Sequence, residues 1–163
     1  MKKSMPILLL VEDNPDDIEL TRVALEDSKL ANQLIVMRDG QEALDWLYCE
    51  GAHQGRDPCL APSLILLDLK LPKVSGLEAL QRMRADQRTK LIPVVILTSS
   101  REEKDIVEGY NLGANSYIQK PVDYNQFVGA IRQLGVYWML LNEAPPMGPG
   151  ARTYVCTDTC SDD

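Results

Sequence analysis

Pro6–Val11 reads PILLLV, and Glu12-Asp13-Asn14-Pro15 follows it directly. A run of six apolar residues is strand length, and apolar side chains at every position suit a strand buried on both faces. The acidic turn ending in Pro stops it. The same design recurs downstream. Leu64–Leu67 (LILL) stops at Asp68, and Pro93–Leu97 (PVVIL) stops at Thr98. Gln33–Met37 and Ser116–Gln119 are two further strands, the second followed by Lys120-Pro121. Helical patterns fill the intervals. Asp16–Asp27 carries Ile18, Leu20, Val23, Ala24 and Leu25 on or near one face. Asp39 with Glu42, Ser75 with Glu78, Ser100 with Glu103 and Asp123 with Gln126 form capping boxes. These open helices that reach Tyr48, about Ala85, Leu112 and about Asn142. In the last one Phe127, Ile131, Leu134, Trp138 and Leu141 recur every three or four residues. Five strands alternating with five helices argue an α/β fold, a parallel sheet covered on both faces.

Composition narrows the partners. The chain has 163 residues, 45% hydrophobic and 25% charged, enough for one domain with a real core. Its net charge of −7 leaves no basic surplus for phosphate backbones, so no nucleic acid is expected. Apolar runs such as Ile7–Val11 are far too short for a membrane span. Cys49, Cys59, Cys156 and Cys160 have neither disulfide-framework density nor CxxC spacing, so a reduced, cytoplasmic protein is expected. Cys49, His53 and Cys59 lack a fourth ligand and read as an incidental loop cluster within the polar stretch Cys49–Pro62. From Glu143 to Asp163, Pro145, Pro146, Gly148, Pro149 and Gly150 break structure. The expected organisation is a folded unit over 1–142 and a disordered Pro/Gly-rich tail over 143–163, with no room for an output domain.

Parallel strands place all their carboxyl ends on one edge of the sheet, where chemistry gathers in such folds. Glu12 and Asp13 follow the first strand, Asp68 ends the third, Thr98 ends the fourth and Lys120 follows the fifth. Carboxylates this close repel by about 4 kcal/mol per pair at 4 Å and an effective dielectric near 20. A divalent cation among them and an ammonium opposite would relieve that. Oxygen-only ligands suit Mg2+, and Mg2+, a carboxylate, a hydroxyl and a lysine are the parts for phosphoryl transfer to an aspartate.

VEDN at Val11–Asn14, LLDLKLP at Leu66–Pro72, SG at Ser75–Gly76, LTSS at Leu97–Ser100 and YIQKP at Tyr117–Pro121 resemble the receiver domain of two-component response regulators. The resemblance runs from about Ile7 to Leu141. It implies a flavodoxin-like, doubly wound five-stranded parallel sheet of order 2-1-3-4-5. It also implies a stand-alone response regulator whose Asp68 takes a phosphoryl group from a sensor histidine kinase. Such a protein catalyses only its own phosphotransfer and autodephosphorylation. By the same resemblance Asp13 and Asp68 ligate Mg2+ directly, Glu12 acts through water, and the Lys70 carbonyl supplies another ligand. Thr98 and Lys120 bind phosphoryl oxygens, Thr98 and Tyr117 form the switch, and the Lys120–Pro121 bond is cis. The VEDNP-DD start, RDG at Arg38–Gly40, the long loop before the third strand, LPK at Leu71–Lys73 and YW at Tyr137-Trp138 resemble regulators paired with bacterial phytochrome-type kinases. Two residues depart from the common pattern: Glu12, where many receivers have Asp, and Lys70, a cation two residues past the acceptor.

Three other readings fit less well. A phosphatase of the haloacid dehalogenase kind needs a second acid two residues after its nucleophile, where Lys70 stands. A flavodoxin needs a hydroxyl- and Gly-rich phosphate loop where EDNP stands. A phosphorylation-independent interaction module has no use for the full set. Tyr137, Met139 and Leu140 lie beyond the core face of the last helix. They pack under the first helix or else belong to a homodimer or partner surface along the fourth helix, fifth strand and fifth helix.

Overall fold

The computed structural model describes residues 6–26, 34–57, 60–99, 102–120 and 123–138. Its elements follow in the order β1 (Leu8–Val11), α1 (Pro15–Glu26), β2 (Leu34–Met37), α2 (Gly40–Tyr48), β3 (Leu64–Leu67), α3 (Gly76–Ala85), β4 (Val94–Thr98), α4 (Glu103–Asn111), β5 (Ser116–Gln119) and α5 (Tyr124–Val136). The strands form one sheet of order β2-β1-β3-β4-β5, and every pairing is parallel. Side chains alternate between the two faces of the sheet. Leu9, Val11, Ile65, Leu67, Val94 and Ile96 meet α2 and α3 through Leu44, Trp46, Leu47, Leu80 and Met83. Leu8, Leu10, Leu64, Leu66, Val95 and Leu97 meet α1 and α5 through Ile18, Leu25, Phe127, Val128 and Ile131. β1, β3 and β4 therefore have no solvated face, which is why they read as unbroken apolar runs. Each fully buried Leu, Ile or Val is worth about 1.5–3 kcal/mol, so the central strands are the most firmly held part of the chain.

Three caps form as the sequence predicts. Asp39 accepts from the Glu42 amide at 2.7 Å, Ser75 from the Glu78 amide at 3.2 Å, and Asp123 from the Asn125 and Gln126 amides at 2.7 and 3.2 Å. The expected cap by Ser100 lies outside the described residues. Among those residues α4 begins at Glu103, and Glu102 stands before it without a side-chain cap. α4 is also the least anchored helix. Its one buried residue is Gly109, over Ile96 and the ring of Tyr117, while Val107 and Tyr110 are exposed. The loop before β3 is more ordered than its composition suggests. It holds a 3-10 turn at Gly51–His53. Arg56 lies 3.8 Å over the Trp46 ring and donates to the carbonyls of Trp46, Asp57 and Leu60. Within it Cys49 is a free thiol, and His53 faces Glu42 at 3.8 Å. Cys59, Pro121 with its expected cis bond, Met139, Leu140 and the whole tail 143–163 lie outside the described residues. Among the described residues no helix is long and apolar enough to cross a membrane.

Candidate functional site

Backbone ladders carry the site residues one step past their strands. The Glu12 amide donates to the Met37 carbonyl at 3.0 Å, extending the β1–β2 pairing. The Asp68 amide donates to Val11 at 3.1 Å, extending β1–β3, and the Lys120 amide to Thr98 at 2.8 Å, extending β4–β5. Val11 pairs with Leu67, so Glu12 and Asp68 leave the sheet side by side. Asn14 then starts α1: its side chain accepts from the Asp16 and Asp17 amides at 2.9 and 3.3 Å, with Pro15 at the first helical position.

Two glycines shape the loop after Asp68. A Cβ on Gly76 would lie 2.7 Å from Leu69 Cα and closer still to the Asp68 carbonyl oxygen, so α3 starts directly against the Asp68–Leu69 backbone. A Cβ on Gly40 would run into the Val74 backbone in the same way. Lys73 holds the left-handed turn between them at φ 65, its ammonium 3.5 Å from Asp39. The RDG and SG motifs are thus two points at which α2 and α3 clamp the loop that carries Lys70.

The Lys120 ammonium sits among carboxylates, 2.6 Å from Glu12 Oε2, 2.8 Å from Asp17 Oδ2 and 2.9 Å from Asp68 Oδ2. The remaining oxygens are placed as well: Glu12 Oε1 accepts from the Asn14 amide at 3.1 Å and Asp68 Oδ1 from the Lys70 amide at 3.2 Å. Glu12 is 2% exposed. Its burial pushes the carboxyl up to about 7, the hydrogen bond from Lys120 opposes that, and the charge of Asp68 adds to it. Burial pulls Lys120 down, but its hydrogen bonds to Asp17, Glu12 and Asp68 outweigh this and hold it above the ordinary lysine range.

Glu12, Asp13 and Asp68 each offer an oxygen, all within 4.8 Å of one another. Three hard oxygen donors at that spacing, one on a carboxylate raised by its burial, fit a small divalent cation. Thr98 is fully buried at the end of β4, beside β3. Tyr117 is half-buried on β5, its ring under Gly109 of α4. The Lys70 side chain is exposed. Of the residues singled out in the sequence, Glu12, Asp13, Asp68 and Lys120 converge. Asp17 joins them unannounced: an acid in the first turn of a helix ordinarily complements the helix dipole in solvent, and only the fold brings it to Lys120.

The profile of the response regulator receiver domain matches residues 8–132. Response regulator Rcp1 of Synechocystis sp. is 35% identical over 82% of this chain and 88% of its own. A Mn2+-bound structure of Rcp1 superposes with a TM-score of 0.79, covering 86% of this chain and 99% of that one at 34% identity. The phosphorylated cyanobacterial phytochrome response regulator RcpA superposes with a TM-score of 0.80 at 37% identity, covering 87% and 99%. The bacteriophytochrome response regulator AtBRR is 55% identical, covering 86% and 100%, with a TM-score of 0.68. The acidic pocket beyond the sheet, the strand order and these relatives agree, and the chain belongs to the response regulator receiver domain family.

Proposed function

We propose that Asp68 is the phosphoacceptor, charged by a sensor histidine kinase of phytochrome type in the cytoplasm, and that the receiver unit spans residues 1–142. The supporting observation is the meeting of Glu12, Asp13 and Asp68 with Lys120 at one edge of the sheet. An Asp68 oxygen attacks the phosphorus of a phosphohistidine. The new O–P bond forms as the P–N bond breaks, and the electron pair leaves with the imidazole. Asp13, Asp68 and the Lys70 carbonyl would hold Mg2+ directly, with Glu12 acting through water. When bound, Mg2+ neutralises charge on the phosphoryl oxygens. Lys120 meets a second phosphoryl oxygen as a fixed ammonium.

The switch we assign is Thr98, which donates to the phosphoryl group, and Tyr117, which moves as the loop after β4 draws in. Because Gly109 is the one fully buried residue of α4 and lies against Tyr117, a small change at Tyr117 alters the α4–β5–α5 face, the surface assigned to a homodimer or downstream partner. A coupling of about 1–3 kcal/mol would change partner affinity roughly 5- to 150-fold. The test is Mg2+-dependent labelling by acetyl phosphate. Asp68→Asn should abolish it, and acid-stable labelling elsewhere in that variant would overturn the assignment.

A further inference from the structure

We infer that Arg84 is a positioning residue that pins the C-terminal end of α4, so that the switch turns this helix about Gly113 and moves its N-terminal end most. This rests on the switch reading above, in which Tyr117 and the loop after β4 act on α4. The pin is one side chain in the last turn of α3. Arg84 Nε donates to the Gly113 carbonyl at 3.0 Å and Nη2 to Asn115 Oδ1 at 3.1 Å. Nη1 faces the carbonyls of Thr89, Lys90 and Ile92 at 3.3, 3.1 and 2.8 Å. A planar fork with five N–H donors can grip both sides at once, which a lysine cannot. The acceptors are themselves fixed. Asn115 Oδ1 also accepts from the Val94 amide at 2.9 Å, and the Asn115 amide donates to the Val94 carbonyl at 2.8 Å. The first residue of β4 therefore holds the segment just past α4.

Gly113 makes the approach possible. Its φ of 94 is in the left-handed region, and a Cβ there would lie 3.0 Å from Arg84 Nε. The amides of Leu112, Gly113 and Ala114 close the helix end on the carbonyls of Glu108, Tyr110 and Gly109, and Leu112 and Ala114 pack against the core. The opposite end is built otherwise. Glu102 makes no side-chain cap, Glu103 and Lys104 are exposed, and Asp105 and Ile106 are half-buried. Gly109 is where α4 meets the switch: a Cβ on it would lie 3.7 Å from the Tyr117 ring. It stands four residues before Gly113, about 6 Å along the axis, whereas Glu103 stands ten before, about 15 Å. A helix moves as a rod on its own hydrogen bonds, so a shift at Gly109 grows roughly 2.5-fold at Glu103 and vanishes at Gly113. Tyr110, exposed one turn from the pin, keeps its place while the first turn swings.

The experiment is amide hydrogen exchange resolved by residue, on the full chain at saturating Mg2+, with and without the acyl-phosphate mimic beryllofluoride. In the parent chain, exchange at Asp105, Ile106 and Val107 should change by at least about 5-fold, and at Leu112, Gly113 and Asn115 by less than about 2-fold. Because this gradient is read on the parent, it does not depend on a variant folding. Arg84→Met and the milder Arg84→Lys should carry the beryllofluoride response through to Leu112, Gly113 and Asn115. A merely structural arginine would speed exchange in both states alike and leave the ratio between them unchanged. A gradient preserved in both variants therefore overturns the inference. An equal response at both ends of α4 in the parent overturns it too, while the switch reading stands. No response anywhere along α4 in a parent that binds beryllofluoride would bring down both.

Discussion

Gly76→Ala adds one methyl group at the tightest point of the site's scaffold. Gly76 is the first residue of α3, and its amide donates to the Leu69 carbonyl at 2.9 Å. The new Cβ would lie 2.7 Å from Leu69 Cα and 2.9 Å from the Asp68 carbonyl carbon, where ordinary contact begins near 3.4 Å. The obstructing atoms are backbone, held by the β1–β3 ladder, so the helix start must retreat. Overpacking of this kind costs about 1–3 kcal/mol. Weakening the Gly76–Leu69 hydrogen bond adds about 0.5–1.5 kcal/mol. The better helix propensity of Ala returns up to about 1 kcal/mol. The net loss is about 0.5–4.5 kcal/mol, which at about 2–4 °C per kcal/mol lowers the melting temperature by roughly 1–18 °C. Acetyl phosphate labelling should slow with it, since Asp68 and Lys70 lie on the displaced backbone. Gly129→Ala is the matched control: it lies within α5 with nothing within 4 Å of an added Cβ, and should stabilise by about 0.5–1 kcal/mol. Circular dichroism melts of both variants decide the matter. If Gly76→Ala melts at or above the parent temperature, the close approach of α3 to the Asp68–Leu69 backbone does not constrain the site.

Two further outcomes follow from features distant from the site. Arg84 donates to the carbonyls of Thr89, Lys90, Ile92 and Gly113 and to Asn115 Oδ1, tying α3 to the segments that lead into β4 and β5. Arg84→Met strands several of these acceptors and should cost about 2–4 kcal/mol in urea unfolding. Arg84→Lys should recover little, and full recovery would show that the guanidinium fork is not needed. Asp86 is held below the usual carboxylate range by its hydrogen bond from Arg88, which grips both oxygens at 3.0 and 2.7 Å. A depressed folded-state value means that its stabilisation is present above about pH 4 and is lost as pH falls through that lower value. Asp86→Asn should therefore bring the parent and variant melting temperatures together below pH 4 and separate them above it, and a constant difference across that range would refute the pairing.

Strand positions were readable because burial on both faces leaves an unbroken apolar run, and three of four helix starts because their capping boxes are local. The described start of α4 is set differently. Ser100 lies outside the described residues, α4 starts at Glu103 behind Glu102, which makes no side-chain cap, and Gly109 is its one fully buried residue. Local chemistry alone does not set the start of a weakly packed helix. The convergence of Glu12, Asp13, Asp68 and Lys120 was readable from strand ends, because parallel topology dictates it. Asp17 was not, since its meeting with Lys120 depends on the angle at which α1 leaves Asn14. The purpose of Gly40 and Gly76 was equally hidden. As motifs they carried resemblance, but the backbone each one touches can be seen only once α2 and α3 are docked.

The ladder bonds that carry Glu12, Asp68 and Lys120 past their strands bind two histories together. A slip of β3 by one residue along β1 would move Asp68 by about 3.3 Å and turn its side chain to the opposite face of the sheet. The carboxylates would no longer share a cation, and Lys120 would lose its hold. A chain still assembling its central strands therefore offers a kinase no acceptor. Competence to receive the signal arrives with correct strand alignment, and a misregistered molecule is deaf to its kinase without any separate quality check.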